Sequence, residues 1–391
     1  MACMLLVSGS HMAWLTFVPV QYKAADWMGG QYTADPSLLN KLATVCFPVS
    51  FVFGFVGAYL FDTLGSYVPL MLGGWTLTPA MALRVVAVYI EDPDTRFWVI
   101  FAAQALTGVS LSMLSLSPTK IAAVWFAEDQ RTLANTLITL MLPGGILFTY
   151  VISPLIVDSF AKDEFELTDG EGKFDSSFEA LMWIYFIWNA IGTLLITVFM
   201  RYPGTPPLPA SPSSLEKVLP FWQGIWRCLT NPMYIMLCAT MSCGLGVISI
   251  LMVSLPTVLC PWGYDDKWAN SWGIVILITS GTISSTIFAI VVDRVGHMVT
   301  FMRVLMVGVL IGFIMFIWFA TTEPNYVAFG FATAFLGIFA YPTLPMAYEL
   351  SVETTEFWIF IFQSCLISDF TLLSFFQHFV RTQSDQQPAP G

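Results

Sequence analysis

Two short turns carry the residues best suited to a moving contact. They read Asp62-Thr-Leu-Gly65 and Asp293-Arg-Val-Gly296. Glycine gives a tight turn its free backbone. A carboxylate near a helix N-terminus is held by the dipole and by unpaired N–H groups. Such a contact forms in one conformation and breaks in another, which suits a gate; a plain turn is the other reading. His11 precedes Trp14 by three positions, so both lie on one helix face. An indole face attracts a desolvated cation, a quaternary ammonium above all. His11 can hydrogen-bond a ligand or take a proton, and helix packing is the alternative for both residues. Gln104 and Asn189 can join a binding site or stitch helices together. Asp369, within IFIFQSCLISDFTLLSFF, is placed to couple protons. Arg84 lies near the end of an apolar run and is expected to snorkel to the surface. Glu349 is expected to cap a helix or to form a salt bridge.

The elements that must position these residues are membrane spans. Of 391 residues, 57% are hydrophobic and 10% charged, whereas a soluble domain carries about 25% charged residues. So few charges cannot cover a water-facing surface, and lipid is the available solvent for the excess apolar side chains. A span needs roughly 20 apolar residues. About eleven such segments are present, at 1–21, 39–61, 68–90, 98–123, 132–157, 180–200, 231–257, 270–292, 299–320, 326–350 and 357–379. The fold class is therefore an all-α polytopic membrane protein whose second solvent is the lipid bilayer.

The net charge of −11 is concentrated between Asp158 and Glu179, where eight acids face two lysines, and that stretch reads as an aqueous loop. No basic patch points to nucleic acid. The seven cysteines show no CxxC or Cys/His cluster, so neither a disulfide framework nor a metal site is expected. No residue pattern suggests covalent chemistry, a nucleotide-binding loop or a cofactor, so an enzyme is not expected. Nothing implies an oligomer.

A Pro/Ser-rich stretch beginning RYPGTPPLPASPSS divides the chain. The expected organisation is an N-terminal half (1–200, six spans), a cytoplasmic linker (201–230) and a C-terminal half (231–391, five spans and a polar tail). Asp293 follows Asp62 by 231 residues, and Pro345 follows Pro118 by 227. Two landmarks at nearly one offset, both at corresponding helix ends, indicate a duplicated six-helix unit. Parallel halves of that kind are the architecture of the major facilitator superfamily. A twelfth span should then follow, but after Arg381 the chain ends in TQSDQQPAPG. Truncation or a mispredicted exon is the preferred expectation, as is a missing tail before the apolar start at Met1. Seven Lys/Arg on each side of the proposed spans give no positive-inside signal.

Four segments carry a family resemblance: WLTFVPV (14–20), SPTKIAAVWFAEDQRTLANTL (117–137), LMLPGGILFTYVISPLIV (140–157) and AYELSVE (347–353). They resemble solute carrier family 49, the family of the feline leukaemia virus subgroup C receptors, nearest to the branch of major facilitator superfamily domain-containing protein 7. The resemblance implies a carrier of choline, ethanolamine, haem or vitamin B6 that works by alternating access in the plasma membrane. It implies that Trp14 matches an aromatic-cage residue and that Gln363 matches a site glutamine. Ser249 and Pro143 stand where the relatives carry a cage Tyr and a second Gln. It also implies a gate role for Glu128 and Arg131, beside the aromatic belt Trp125–Phe126. The substrate-binding candidates are Trp14, His11, Gln363 and Gln104. The gating candidates are Asp62, Gly65, Asp293, Gly296, Glu128 and Arg131. A small-molecule substrate is the expected partner, and a non-transporting receptor or scaffold is the rival of another class.

Overall fold

The computed structural model describes residues 2–126, 134, 137–167, 175–200, 221–259, 263–264, 268–295, 298–320, 324–343 and 346–347. No strand occurs among the described residues. Eight of the described helices are long and apolar enough to cross a membrane. The chain divides into two compact units, Met1–Phe221 and Trp222–Gly391.

The first unit contains α1 (Ala2–Trp14), α2 (Gln21–Met28), α3 (Cys46–Thr63), α4 (Tyr67–Val88), α5 (Pro93–Ser115), α6 (Ser117–Trp125), α7 (Met141–Leu167) and α8 (Asp175–Phe199). Asp92 caps α5 by accepting the Thr95 amide at 2.8 Å, and Pro93 opens the helix where no N–H is needed. The first span, α1 with α2, is the interior rod of the unit. It packs on α5, α7 and α8, and its apolar stretch is the most deeply buried of the eight spans. Gly145 lets α7 close on it, because a Cβ there would overlap the Ser8 carbonyl. By contrast, α8 exposes Ile184, Ile187, Ile191, Leu194 and Val198 along one stripe, as a lipid-facing helix should.

The acidic stretch expected as a loop is mostly helix, since α7 runs to Leu167 and α8 begins at Asp175. Apolar content marks where lipid ends, whereas a helix continues as long as its backbone bonds do. Three of these acids hold one end of the unit. Asp158 pairs with Lys23, Asp175 accepts from Trp27 Nε1 at 2.8 Å, and Glu179 accepts from the Tyr89 hydroxyl at 2.6 Å. The Trp27 ring stacks on Phe178 at 4.6 Å and lies under the Arg96 guanidinium at 4.8 Å.

The second unit contains most of α9 (Phe221–Thr230), then α10 (Pro232–Leu259), α11 (Gly273–Val295), α12 (Met298–Ala320) and α13 (Tyr326–Ala340). The linker expectation for 201–230 needs correction, because its last ten residues form α9. Pro and Ser stop before Phe221, and the segment FWQGIWRCLT holds no helix breaker beyond one glycine. Serines stitch α11 to α13. Ser280 donates to the Ala334 carbonyl at 3.1 Å and Ser284 to the Ile338 carbonyl at 2.9 Å. Val307, Leu310, Ile314 and Ile317 form an exposed apolar stripe on α12.

Candidate functional site

The first span is broken in its middle. Helix α1 stops at Trp14, residues 15–17 turn, Val18–Val20 form a 3-10 turn, and α2 resumes at Gln21. Pro19 contributes to the break, since it supplies no backbone donor. Thr16 Oγ1 donates to the carbonyls of Met12 (3.0 Å) and Ala13 (3.1 Å), which gives those acceptors a partner at the end of α1. Interrupted helices inside a membrane are tolerated where other groups satisfy the freed backbone.

Those groups come from α4 and α5. Gln104 Nε2 donates to the Trp14 carbonyl at 3.0 Å. Gln104 Oε1 in turn accepts from Arg84 Nη2. Arg84 also donates to Thr16 Oγ1 at 2.8 Å and to Thr107 Oγ1 at 3.2 Å, with the Phe17 ring 5.9 Å from its guanidinium carbon. The snorkelling expectation is overturned, for Arg84 is 1% exposed and turned inward. Three side-chain oxygens, of Thr16, Gln104 and Thr107, give the guanidinium fork its acceptors inside the unit. All its hydrogen-bond acceptors among the described residues are neutral, and its Nε has none. A buried charge without a countercharge is costly, and among the described residues no carboxylate bonds this one.

Trp14 is fixed at its edge. Its Nε1 donates to the Ala43 carbonyl at 3.1 Å and its ring meets Phe47 edge-on at 5.3 Å. His11 shares its face, as the spacing requires, with ring centroids 6.4 Å apart. His11 Nδ1 contacts the Val7 carbonyl at 3.0 Å. A carbonyl only accepts, so Nδ1 carries a proton. Beyond α1, the Tyr185 hydroxyl joins Ser153 (2.7 Å) and Thr149 (3.3 Å), and Thr149 reaches the Met12 carbonyl at 3.4 Å. Trp14, His11 and Gln104 are thus brought together. Asn189 instead donates to the Tyr185 carbonyl of its own helix at 2.8 Å.

The gate candidates are placed in part. Gly65 takes φ 71°, the left-handed conformation a tight turn asks of glycine. Asp62, however, sits in the last turn of α3 rather than at a helix N-terminus. A carboxylate there meets the negative end of the dipole, and the Lys120 ammonium of α6 compensates it. That partner lies 58 residues away and was not foreseen; no local pattern announces it. Asp293 lies in the last turn of α11. Gly296, Glu128, Arg131 and Gln363, with Glu349 and Asp369, lie outside the described residues.

The family profile of the Major Facilitator Superfamily matches residues 3–356. "Solute carrier family 49 member A3" of Danio rerio is 30% identical over 354 residues, covering 90% of this chain and 70% of that protein. Its namesake in Xenopus tropicalis is 26% identical, covering 89% and 69%. "Choline/ethanolamine transporter flvcr2a" of Danio rerio is 25% identical over 317 residues, covering 74% and 63%. Among solved structures, the fucose:proton symporter FucP of E. coli superposes with a TM-score of 0.67 at 13% identity, covering 98% of this chain and 92% of that one. The xylose transporter XylE of E. coli gives 0.66 at 13% identity, covering 96% and 90%. Those two likenesses are of fold. By the matched profile and the similarity to the Danio rerio protein, this multi-pass membrane chain belongs to the major facilitator superfamily, within solute carrier family 49.

Proposed function

We propose that this membrane transporter carries a small organic amine, choline or ethanolamine, by alternating access in the plasma membrane. One observation carries the reading. Trp14 stands at the break of the first span with its indole edge anchored, beside backbone carbonyls and the Gln104 amide. An anchored indole face and carbonyl dipoles hold a desolvated cation without a countercharge. The name of the zebrafish relative, a choline/ethanolamine transporter, supports the same class. Asp62 with Gly65, and Asp293 with Gly296, then serve as gate turns in duplicated halves (1–200 and 231–391). Glu128, Arg131 and Gln363 join the gate and the site.

The test is initial uptake of labelled choline, normalised to surface protein. A desolvated cation–π contact is worth about 2 kcal/mol or more. Trp14→Ala should therefore weaken apparent affinity roughly thirty-fold, since 1.4 kcal/mol is about tenfold, and Trp14→Phe should retain part of it. Unchanged affinity in Trp14→Ala removes Trp14 from the site. Arg84 favours a second reading. Its charge, one amide away from Trp14, would attract a solute with an anionic group, such as haem with its carboxylates or a phosphorylated vitamin. Competition of choline uptake by such anions decides between the two. A chain that moves none of these solutes fits the receptor or scaffold rival.

A further inference from the structure

Helix α9 (Phe221–Thr230) has three distinct faces. With about 100° per residue, Trp222, Trp226 and Leu229 fall within an arc of roughly 60°. All three are exposed, Trp222 by 73% and Trp226 by 69%. Gln223, Arg227 and Thr230 form an exposed polar face beside them. On the third face Gly224 is buried, and Phe221 and Ile225 are half-buried. At 10 residues the helix is about 15 Å long, too short to cross a bilayer core of about 30 Å.

Its surroundings fix where it sits. Asn231 caps the next helix, its Oδ1 accepting the amides of Met233 (3.1 Å) and Tyr234 (3.4 Å), with Pro232 at the first helical position. The elbow is thus set by hydrogen bonds. Helix α10 runs 28 residues without one charged side chain, which suits a bilayer-spanning rod. The start of such a rod lies at a membrane surface, so α9 lies there too. Met233, Ile235 and Met236 in the first turn of α10 are exposed as well.

We propose that α9 is an interfacial helix docked on the lipid surface, with Trp222, Trp226 and Leu229 sunk at headgroup depth and Arg227 and Gln223 among the headgroups and water. Indole rings prefer that zone. An amphipathic helix with a tryptophan-bearing face lies in the interface plane.

The test uses the full chain in proteoliposomes, free of native cysteines, with an environment-sensitive fluorophore on one introduced cysteine at a time. Probes on Trp226→Cys and Leu229→Cys should be quenched by shallow nitroxide lipids and shielded several-fold from aqueous iodide. Probes on Gln223→Cys and Thr230→Cys should show the reverse. Two positions on each face keep the test valid if one variant fails to fold. Iodide quenching of all four alike would mean a solvated linker and overturn the proposal. Shielding of the 226 and 229 probes from both quenchers would place that face against protein, a second copy included, and also overturn it.

Discussion

The two ends of the first unit are held together in different ways. At one end Trp27 is locked by Phe178, Arg96 and Asp175. Asp94 accepts from Gln31 (3.0 Å) and Tyr32 (3.2 Å), and Lys23 pairs with Asp158. Tyr32 also stacks on Phe97 at 4.7 Å. At the other end, among the described residues, the Asp62–Lys120 ion pair is joined by the weak Cys3–Ser117 contact of 3.3 Å. Interlocked aromatic and charged groups fail together and so resist opening. When two helices part, both partners of an ion pair regain water, so the pair can break and re-form as a unit. On the proposed gate role of Asp62, the contrast would put stability at the first end and switching at the second.

The largest test of that assignment is Trp27→Ala. Removing a buried tryptophan costs about 3–5 kcal/mol. It should lower thermal stability in detergent while leaving transport per folded molecule intact. An unchanged melting temperature would dissolve the contrast. Arg84→Gln, midway between the ends, comes next. Gln104 Oε1 would lose its donor, at about 1–3 kcal/mol, partly offset by removal of a buried charge, while Thr16 and Thr107 keep their bonds to carbonyls. Uptake per surface molecule should fall with stability, because Gln104 loses the group that aims it at the Trp14 carbonyl. Uptake that stays normal would make Arg84 a fastening only.

At the other end, Asp62→Asn and Lys120→Met should each lower the melting temperature, because the pair is largely buried and each variant strands the partner left behind. Each should also shift the balance of open states several-fold. Cysteine accessibility from the two sides reads that shift, and the double variant should match either single one. An additive double variant would show that the two residues do not act as a pair. The smallest effect belongs to Asp92. The Thr95 hydroxyl and amide hold its carboxyl below the usual carboxylate range. A lowered value means that the cap is fully present above the ordinary range and is lost as pH falls through the lowered one. Wild type should therefore lose a little stability on acidification that Asp92→Ala does not lose. Equal acid sensitivity in both would remove Asp92 from the account.

The spans were legible because lipid imposes an apolar run of fixed length, and the unit's helices follow those runs closely. The shared face of His11 and Trp14 followed from their spacing, and the turn at Gly65 from its residue type. The break after Trp14 was not legible, since a hydropathy pattern stays apolar through it. Helix α9 was hidden behind prolines that end just before it. The inward turn of Arg84, the Lys120 partner of Asp62 and the lock on Trp27 all join residues far apart in sequence. No local pattern records such pairings.

Arg84 also bears on how the chain is made. The α4 segment is the least apolar of the eight spans, with Arg84 toward its far end. An arginine opposes release of a segment from the translocon into lipid. Two of its partners, Gln104 and Thr107, belong to α5, which follows α4 after four residues and is still inside the ribosome when α4 emerges. Entry of the third and fourth spans together, as one helical hairpin, would give Arg84 these partners at once.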